Sequence, residues 1–308
     1  MSKRTLTLAG AVLAAFILIG CGADAKRLPP QTHASPPLAQ RVSHIAVVVM
    51  ENHEYDEIIG SRAAPYINRL ARGYALSTQM YATTHPSLPN YLALSGGSTF
   101  GIDSDCTDCW APGRGIAGQL TAHGLSWRAY MEDLPHPCFT GAGAGGYAKK
   151  HDPFAYYRQI VHDRAACDRI VPLSQLSGDE LARNLPTLAW ITPNLCHDMH
   201  DCDVATGDRF LSQLIPPLLH ALGPRGLLIL TWDEGTSDNG CCRLAGGGHI
   251  ATILAGALAQ PGGRSSTPVD QYSLLQAIED LTGLHRLGAA ACGCTPSLAP
   301  LLRPAATK

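Results

Sequence analysis

The stretch that decides the fold reads Gly226-Leu-Leu-Ile-Leu-Thr-Trp-Asp233-Glu234-Gly235. Its apolar run has no polar alternation, which is typical of a strand buried on both faces of a parallel sheet. The run ends in two adjacent carboxylates, Asp233 and Glu234. Ligands of open α/β sheets bind at the carboxyl ends of the strands. This pair therefore belongs either to a functional site or to a solvated turn.

Further strand and helix patterns alternate along the chain. Buried strands are predicted at His44–Met50, Trp127–Met131, Leu188–Thr192 and Ile250–Ala255. Helices are predicted over residues 64–72, from 88 to the glycines at 96–97, and over 116–123, 207–222 and 272–281. Pro216 and Pro217 are expected to kink or break the fourth helix. The alternation predicts an α/β fold with a mostly parallel sheet and helices on both faces.

The N-terminus is typical of an export signal. Lys3 and Arg4 precede an apolar run over residues 6–20 that is short for a membrane span. The following Leu18-Ile-Gly-Cys21 resembles a lipobox, which predicts a lipid anchor on Cys21; the alternative is an ordinary cleaved signal. We therefore predict a leader over 1–21, a flexible tether over 22–40 and one domain over 41–304, in a periplasmic, cell-surface or secreted protein.

Charge and cysteine content limit the possible classes. The formal net charge of −2 does not favour nucleic acid as a partner. Eleven cysteines leave ten beyond Cys21, and an even number in an exported protein suggests disulfides. The predicted pairs are Cys106–Cys109, Cys196–Cys202 and Cys138–Cys167, with Cys241, Cys242, Cys292 and Cys294 forming a doubly stapled junction. Zinc binding is the alternative for the Cys-x-x-Cys spacing.

Polar residues recur where predicted strands end. Glu51 follows the first strand, and a segment rich in His and Asp over 194–203 follows the strand at 188–192. Ser87 is predicted as the N-cap of the helix from Leu88, where free amides and the helix dipole favour a phosphate. It is then either a structural cap or a nucleophile. Asp103, Asp105 and Asp108 are interpreted as a solvated loop.

The ordered motifs resemble the alkaline-phosphatase-like phosphoesterase family, in the branch of secreted bacterial acid phosphatases and non-specific phospholipases C. The resemblance extends from about His44 to Gly283. Its motifs are Glu51-Asn52-His53, His85-Pro-Ser87-Leu-Pro-Asn90-Tyr, Lys150-His151-Asp-Pro, Asp198-Met-His200-Asp201 and Trp232-Asp233-Glu234-Gly.

The resemblance implies roles for individual residues. Ser87 matches the nucleophile, and Asn90 matches a residue that holds phosphoryl oxygens. Metal ligands are implied at Glu51, Asn52, Asp233 and Glu234. Residues around the phosphate are implied at His151, His200 and Asp201. Possible further site residues are His85, Lys150, Asp198 and His249; Asn194 and His197 have no assigned role.

These roles together describe a hydrolysis reaction. A divalent metal would activate Ser87 for attack on phosphorus, giving a phosphoserine. Asn90 and helix amides would hold the oxygens, and His200 or His151 would protonate the leaving oxygen. Oxygen ligands suit Mg²⁺, Ca²⁺ or Mn²⁺, and a histidine ligand would suit zinc or iron.

Two other functions remain open from the sequence. A phospholipase C would cleave the phosphodiester of a phospholipid, whereas an acid phosphatase would act on a phosphorylated small molecule or headgroup. A non-catalytic lipoprotein that binds metal or phosphate would keep the ligands but would not need a serine at position 87. The absence of a long C-terminal extension favours the phosphatase, and Ser87 disfavours the binding protein.

Overall fold

A nine-stranded sheet forms the centre of the computed structural model, which describes residues 42–181 and 183–304. The predicted leader and tether lie outside these residues. The strands are β1 His44–Met50, β2 Ala75–Tyr81, β3 Trp127–Met131, β4 Gly143–Ala144, β5 Tyr147–Ala148, β6 Ile170–Pro172, β7 Leu188–Thr192, β8 Gly226–Trp232, β9 His249–Ala255, β10 Arg264–Ser265 and β11 Val269–Asp270. β4 and β5 form a separate two-stranded sheet.

The strand order of the large sheet is β10-β2-β9-β8-β1-β7-β3-β6, and β11 also pairs with β2. The strands from β8 to β6 along this order are parallel. β9 runs antiparallel to both β8 and β2. The predicted mostly parallel α/β sheet is therefore confirmed. β2 was not among the predicted strands, because its Ser, Thr and Gln residues interrupt the apolar pattern.

β1 is the central strand of the sheet. Ala46 lies opposite Ala189 of β7 and Leu228 of β8. No residue from Ile45 to Met50 is more than 1% exposed. The absence of polar alternation in β1 and β8 thus reflects burial on both faces of the sheet.

Helices flank the sheet in two packed groups. They are α1 Tyr55–Ile58, α2 Pro65–Gly73, α3 Ser87–Gly96, α4 Gly115–Ala122, α5 Arg158–Val161, α6 Arg164–Cys167, α7 Leu176–Leu181, α8 Val204–Leu222 and α9 Gln271–Thr282. In one group α2 packs on α8, and in the other α3 packs on α4 and α9. Within the described ranges, no helix has both the length and the apolar character that a bilayer span requires.

The break predicted at the two prolines of α8 does not occur. α8 is one helix of 19 residues that contains Pro216 and Pro217. Both prolines lie on its exposed side, whereas Ile215 and Leu218 are buried. Carbonyl groups that lose their helical donor on that side face water, which satisfies them.

Residues 42–181 and 183–304 contain five disulfides, of which three were predicted. Cys106–Cys109, Cys138–Cys167 and Cys196–Cys202 pair as predicted. The doubly stapled junction is wrong, because Cys241 pairs with Cys242, and Cys292 pairs with Cys294. The first of these pairs lies in the loop between β8 and β9. The second follows a helical turn, Gly288–Ala291, that packs against α9.

Glu279 is a buried carboxyl on α9. It is 0% exposed, and its Oε1 accepts a hydrogen bond of 2.9 Å from the Leu287 N–H. Its Oε2 has no hydrogen-bond partner within the described residues. Burial raises the pKa of Glu279 from 4.5 to about 8. The folded chain therefore keeps a proton on Glu279 that the unfolded chain has already lost at neutral pH.

Glu279 is expected to make the protein less stable as the pH rises. Between its unfolded pKa of 4.5 and its folded pKa of about 8, the unfolded state binds fewer protons, so stability falls across that window. Glu279→Gln removes this titration, so its free energy of unfolding should fall less than that of wild type between about pH 5 and about pH 8. Urea unfolding at several pH values measures this difference. The exposed-site control Glu57→Gln should follow wild type, and parallel curves for all three proteins would contradict the prediction.

Candidate active site

Three acidic residues meet at the carboxyl ends of neighbouring strands. Glu51 follows β1, and its N–H donates to Asp198 O, in the segment after β7, at 2.9 Å. Asp233 follows β8, and its N–H donates to Met50 O at 2.9 Å. The three side chains are 0–1% exposed. The second bond extends the pairing of β1 with β8 by one residue, and the first ties Glu51 to the segment after β7, so the two bonds hold the three residues next to one another.

Glu51, Asp198 and His151 form a group that could hold a metal ion. One potential ligand atom from each residue lies within 4.8 Å of those of the other two. His151 Nε2 is 3.2 Å from Glu51 Oε2, and His151 Nδ1 is 3.3 Å from Asp198 Oδ2. Carboxylate and imidazole are ligands that divalent metals accept.

Unpartnered polar atoms support the fit of a cation at this group. His151 Nε2, Asp198 Oδ2 and Asp233 Oδ2 are buried, and none completes a hydrogen bond of good geometry within the described residues. Buried polar atoms in folded proteins are normally satisfied, so each such atom requires an explanation. A cation held by Glu51, His151 and Asp198 would give buried atoms of this group such a partner.

Burial shifts the ionisation of the whole group. Burial, then the carboxylates of Asp233 and Asp198, raises the pKa of Glu51 well above its ordinary value. Burial also raises the pKa of Asp198 to about 7 and raises that of Asp233. Burial lowers the pKa of His151 to about 3, so its imidazole stays neutral. A neutral imidazole is the form that binds metal.

The hydroxyl of Ser87 points into the same group. Its Oγ is 3.2 Å from Glu51 Oε2 and 3.3 Å from Glu234 Oε1. Ser87 is the first residue of α3, and Pro86, after a cis peptide bond, is the N-cap. The predicted N-cap position for Ser87 is therefore wrong by one residue. Within the first turn its side chain is free to face the carboxylates.

Glu234 and His85 form an acid–base pair beside Ser87. His85 Nδ1 is 2.5 Å from Glu234 Oε2, and His85 Nε2 is 3.1 Å from Ser237 O. Burial, then the charge of Asp233, raises the pKa of Glu234 to about 7. Burial opposes the charge on His85, but the hydrogen bonds to Ser237 O and Glu234 outweigh it and raise the pKa of His85. Glu234 thus contacts Ser87 and His85.

Asn52 contacts the site through its backbone N–H, and Asn90 does so through its side-chain amide. The Asn52 N–H donates to Asp233 Oδ1 at 3.2 Å, and Asn52 has a positive φ of 55°. Asn90 Oδ1 accepts from the Thr84 N–H at 2.9 Å, while its Nδ2 donates to Thr84 O and Pro86 O at 2.7 and 3.1 Å. Asn90 therefore ties the segment before Ser87 to the helix.

Lys150, His200 and Asp201 are held together in one chain of contacts. Lys150 Nζ lies 3.0 Å from Asp105 Oδ2 and 3.2 Å from His200 Nε2. His200 Nδ1 is 2.6 Å from Asp201 Oδ1. Burial opposes the charge on Lys150, but Asp105 outweighs it and raises the pKa of Lys150, with smaller contributions from the charges of Glu51 and Asp233.

Asp105 was missed by the sequence analysis, and its interpretation as part of a solvated loop is wrong. Its Oδ1 accepts from the Leu88 N–H at 3.0 Å in the first turn of α3, and its Oδ2 pairs with Lys150. The adjacent Cys106–Cys109 disulfide closes the loop. The predicted disulfide directly after Asp105 was a sequence signal that this loop is ordered.

Tyr91 was also missed. Its hydroxyl donates a short hydrogen bond to Glu51 Oε1, and burial raises its pKa well above the ordinary value. Tyr91 lies four residues after Ser87 on α3, a spacing that places both side chains on one helix face. That spacing was a sequence signal for its position in the site.

Two histidines from the sequence analysis lie in other environments. The His249 ring stacks against Tyr55 and Tyr81, with ring centroids 4.5 and 5.0 Å away, and its Nε2 is 3.1 Å from Thr78 O. His197 Nδ1 is 2.9 Å from Glu132. Neither belongs to the group of Glu51, His151 and Asp198.

Comparisons with known proteins agree with this geometry. Residues 61–285 match the phosphoesterase family. A phosphatidylinositol-3-phosphatase of Mycobacterium tuberculosis is 32% identical over 92% of this chain and 90% of its own length. An acid phosphatase of Aspergillus fumigatus is 30% identical over 80% of this chain, which spans 56% of that relative.

Solved structures share the fold at low sequence identity. A Vibrio parahaemolyticus protein in the alkaline phosphatase superfamily aligns with a TM-score of 0.57 at 12% identity, covering 86% of this chain and 71% of its own. A phosphonate monoester hydrolase of Silicibacter pomeroyi aligns at 0.54, also at 12% identity, covering 86% of this chain and 78% of its own. The family match extends over most of the described chain and includes Ser87, His151, Asp198 and Glu234. The chain therefore belongs to the phosphoesterase family and is a hydrolase that acts on phosphoric esters.

Proposed function

We propose that this hydrolase is an acid phosphatase that cleaves phosphate monoesters through a phosphoserine on Ser87. The observation that carries the proposal is the buried Ser87 hydroxyl, 3.2 Å from Glu51 Oε2 and 3.3 Å from Glu234 Oε1. A serine beside a proton acceptor has the arrangement of an activated nucleophile. The names of the relatives, acid phosphatase and phosphatidylinositol-3-phosphatase, support a phosphorylated small molecule or a phospholipid headgroup as the substrate.

In the first step, Ser87 Oγ bonds to phosphorus as the bond to the alcohol oxygen breaks. Glu234 takes the serine proton, and the short contact with His85 holds the carboxyl in place. Burial lowers the pKa of His151 to about 3, which leaves His200 as the proposed proton donor to the departing oxygen.

In the second step, a water oxygen bonds to phosphorus and the serine oxygen leaves. Ser87 recovers its proton from Glu234, while His200 takes a proton from the attacking water. Asp201, 2.6 Å from His200 Nδ1, orients the imidazole. The same groups therefore return to their starting protonation after one turnover.

The phosphoryl oxygens require positive groups or N–H donors. Fewer N–H groups of α3 are available to these oxygens than the sequence analysis predicted, because the Leu88 N–H already donates to Asp105 and Pro89 has no N–H. Lys150, which contacts Asp105 and His200, supplies the charge instead in this proposal. A divalent cation held by Glu51, His151, Asp198 and Asp233 would neutralise phosphate charge and lower the pKa of nearby acids.

Ser87→Ala is expected to reduce phosphate release from p-nitrophenyl phosphate by about a thousandfold or more, because the variant has no nucleophile. The control is Ser95→Ala on the same helix, which removes a buried hydrogen bond to Tyr157 but no reacting group. Ser95→Ala should keep most of the turnover. Substantial turnover by Ser87→Ala would refute the phosphoserine mechanism.

The same proteins separate the alternative functions. Thin-layer analysis of phospholipid products gives diacylglycerol for a phospholipase C and inorganic phosphate from monoesters for a phosphatase. Wild type that releases neither product from several phosphate esters would support the non-catalytic binding lipoprotein.

Metal removal is expected to destabilise the fold as well as to stop turnover. A cation whose free concentration is about a hundred times its dissociation constant stabilises the folded state by about 2.7 kcal/mol. EDTA should therefore lower the melting temperature of wild type by several degrees, and Mg²⁺, Ca²⁺, Mn²⁺ or Zn²⁺ added back should restore it. Glu51→Gln should lose this response and Glu57→Gln, on exposed α1, should keep it. An EDTA-insensitive melting temperature would count against a metal at this group.

We further propose that the chain is exported and anchored through a lipid on Cys21. The support is the basic and apolar leader that ends in Leu18-Ile-Gly-Cys21. In a bacterial host, the full chain should incorporate radiolabelled palmitate and sediment with membranes. Cys21→Ser should lose the label while Cys106→Ser keeps it. Wild type that is exported without a label would indicate a cleaved, secreted protein instead.

A further inference from the structure

A pocket of about 510 Å³ is lined in part by residues just before the start of α3. Its lining includes Thr83, Thr84, Asp103, Arg243 and Tyr272, with Ile102 and Leu244 as apolar members. The proposed reaction has so far accounted for the phosphoryl group alone. A phosphoester also carries an alcohol part, and this alcohol needs a place to bind.

Two walls of the pocket connect directly to the first turn of α3. Thr84 lies three residues before Ser87, and its backbone is bonded through N–H and O to the Asn90 side chain. Asp103 lies two residues before Asp105, which accepts from the Leu88 N–H. A ligand in the pocket is therefore positioned relative to Ser87 by short, hydrogen-bonded connections.

Arg243, the positively charged residue of the pocket, lies in a hydrogen-bonded turn. Cys241 and Ala245 exchange two backbone hydrogen bonds, at 3.1 and 3.2 Å, and Arg243 lies between them at a φ of 66°. The Gly246 N–H donates to Thr83 O at 3.0 Å, which joins the turn to the segment before α3. Within residues 42–181 and 183–304, the exposed Arg243 guanidinium forms no ion pair.

The remaining polar groups of the pocket are mainly hydroxyls. Thr83 is 7% exposed, and its Oγ1 completes no hydrogen bond of good geometry within the described residues. The hydroxyl of Tyr272 lies beside it, and burial raises the pKa of Tyr272 to about 12, so this hydroxyl stays protonated. The Asp103 carboxylate can accept from hydroxyls but repels an anion, so a phosphate would sit toward Arg243.

We propose that this pocket binds the leaving group of the substrate, and that the leaving group is a polyol carrying a second phosphate. Arg243 would pair with that phosphate, because a guanidinium matches its oxygens with two parallel hydrogen bonds. Asp103 would accept hydrogen bonds from the polyol hydroxyls. This inference rests on the proposed phosphatase function and names its substrate class.

The chain offers a matched control for Arg243. Arg183 is also exposed, also has a positive φ, of 52°, and also forms no ion pair within the described residues. It follows α7 and does not line the pocket. Arg243→Gln and Arg183→Gln therefore make the same change of charge in the same backbone conformation.

The test compares myo-inositol bisphosphate with myo-inositol monophosphate for the full chain. Arg243→Gln should lower kcat/KM for the bisphosphate about tenfold, mainly through KM, and should leave the monophosphate within about twofold. Arg183→Gln should behave as wild type. Equal effects of Arg243→Gln on both substrates, or no effect on either, would overturn the subsite.

This design separates failure of the subsite from failure of the phosphatase function. Wild type that releases no phosphate from p-nitrophenyl phosphate or from either inositol ester refutes the proposed function. Wild type that hydrolyses these esters without any contribution from Arg243 refutes only the subsite.

A second experiment, on lipid vesicles, tests whether the polyol belongs to a lipid. Leu244 is 46% exposed at the pocket rim, and Leu181, at 87%, is the matched exposed leucine elsewhere. On phosphatidylcholine vesicles containing phosphatidylinositol 3-phosphate, Leu244→Ser should reduce phosphate release and Leu181→Ser should not, if the polyol is borne by a lipid. If both leucine variants have equal rates and the effect of Arg243→Gln is unchanged, the polyol is a soluble molecule. A loss by Leu244→Ser on soluble inositol monophosphate as well would contradict the placement of the ligand.

Discussion

The burial of Glu51, Asp198 and Asp233 side by side is the constraint on which the rest of the site depends. Each follows a parallel strand, and backbone bonds between Glu51, Asp198, Met50 and Asp233 hold them in place. Removing one ionised carboxylate from water costs several kcal/mol, and like charges nearby raise the cost. The sheet must therefore supply enough apolar burial to hold three acids that oppose one another.

The surrounding groups are arranged to relieve this charge. The Tyr91 hydroxyl donates to Glu51, and the neutral His151 lies between Glu51 and Asp198. Within the described residues, these contacts give neither Asp233 Oδ2 nor Asp198 Oδ2 a hydrogen bond of good geometry. Without a cation, raised pKa values let protons neutralise the acids. With a cation, the protons are displaced, so metal affinity and proton binding at this group compete.

Local sequence pattern was sufficient for the central strands of the sheet and for the acidic residues at their ends, whereas the family resemblance supplied the roles of the other site residues. The apolar runs of β1 and β8 identified buried parallel strands, and their acidic ends identified Glu51 and Asp233. The predictions that failed concern residues whose positions depend on contacts between distant segments. β2 is polar in sequence and is fixed by pairing with β9, and Asp105 becomes part of the site only through α3 and Lys150.

The cysteines show the same limit at shorter range. Cys106–Cys109 and Cys196–Cys202 close tight loops and could be predicted from spacing. Cys241, Cys242, Cys292 and Cys294 offered several pairings of equal plausibility, because sequence does not state which loops approach one another. The roles of the individual site residues carry a similar ambiguity, since Glu234 was assigned to metal yet contacts Ser87 and His85.

Asp105 changes how the start of α3 can bind an anion. A helix N-terminus offers free amides, but here the Leu88 N–H is occupied by a carboxylate and Pro89 lacks one. An additional acid at this point would repel phosphate if it stood alone. It pairs with Lys150, so the carboxylate is neutralised while the lysine is held beside His200. The helix end thus positions the Lys150 ammonium through Asp105 instead of binding phosphate mainly through its own amides.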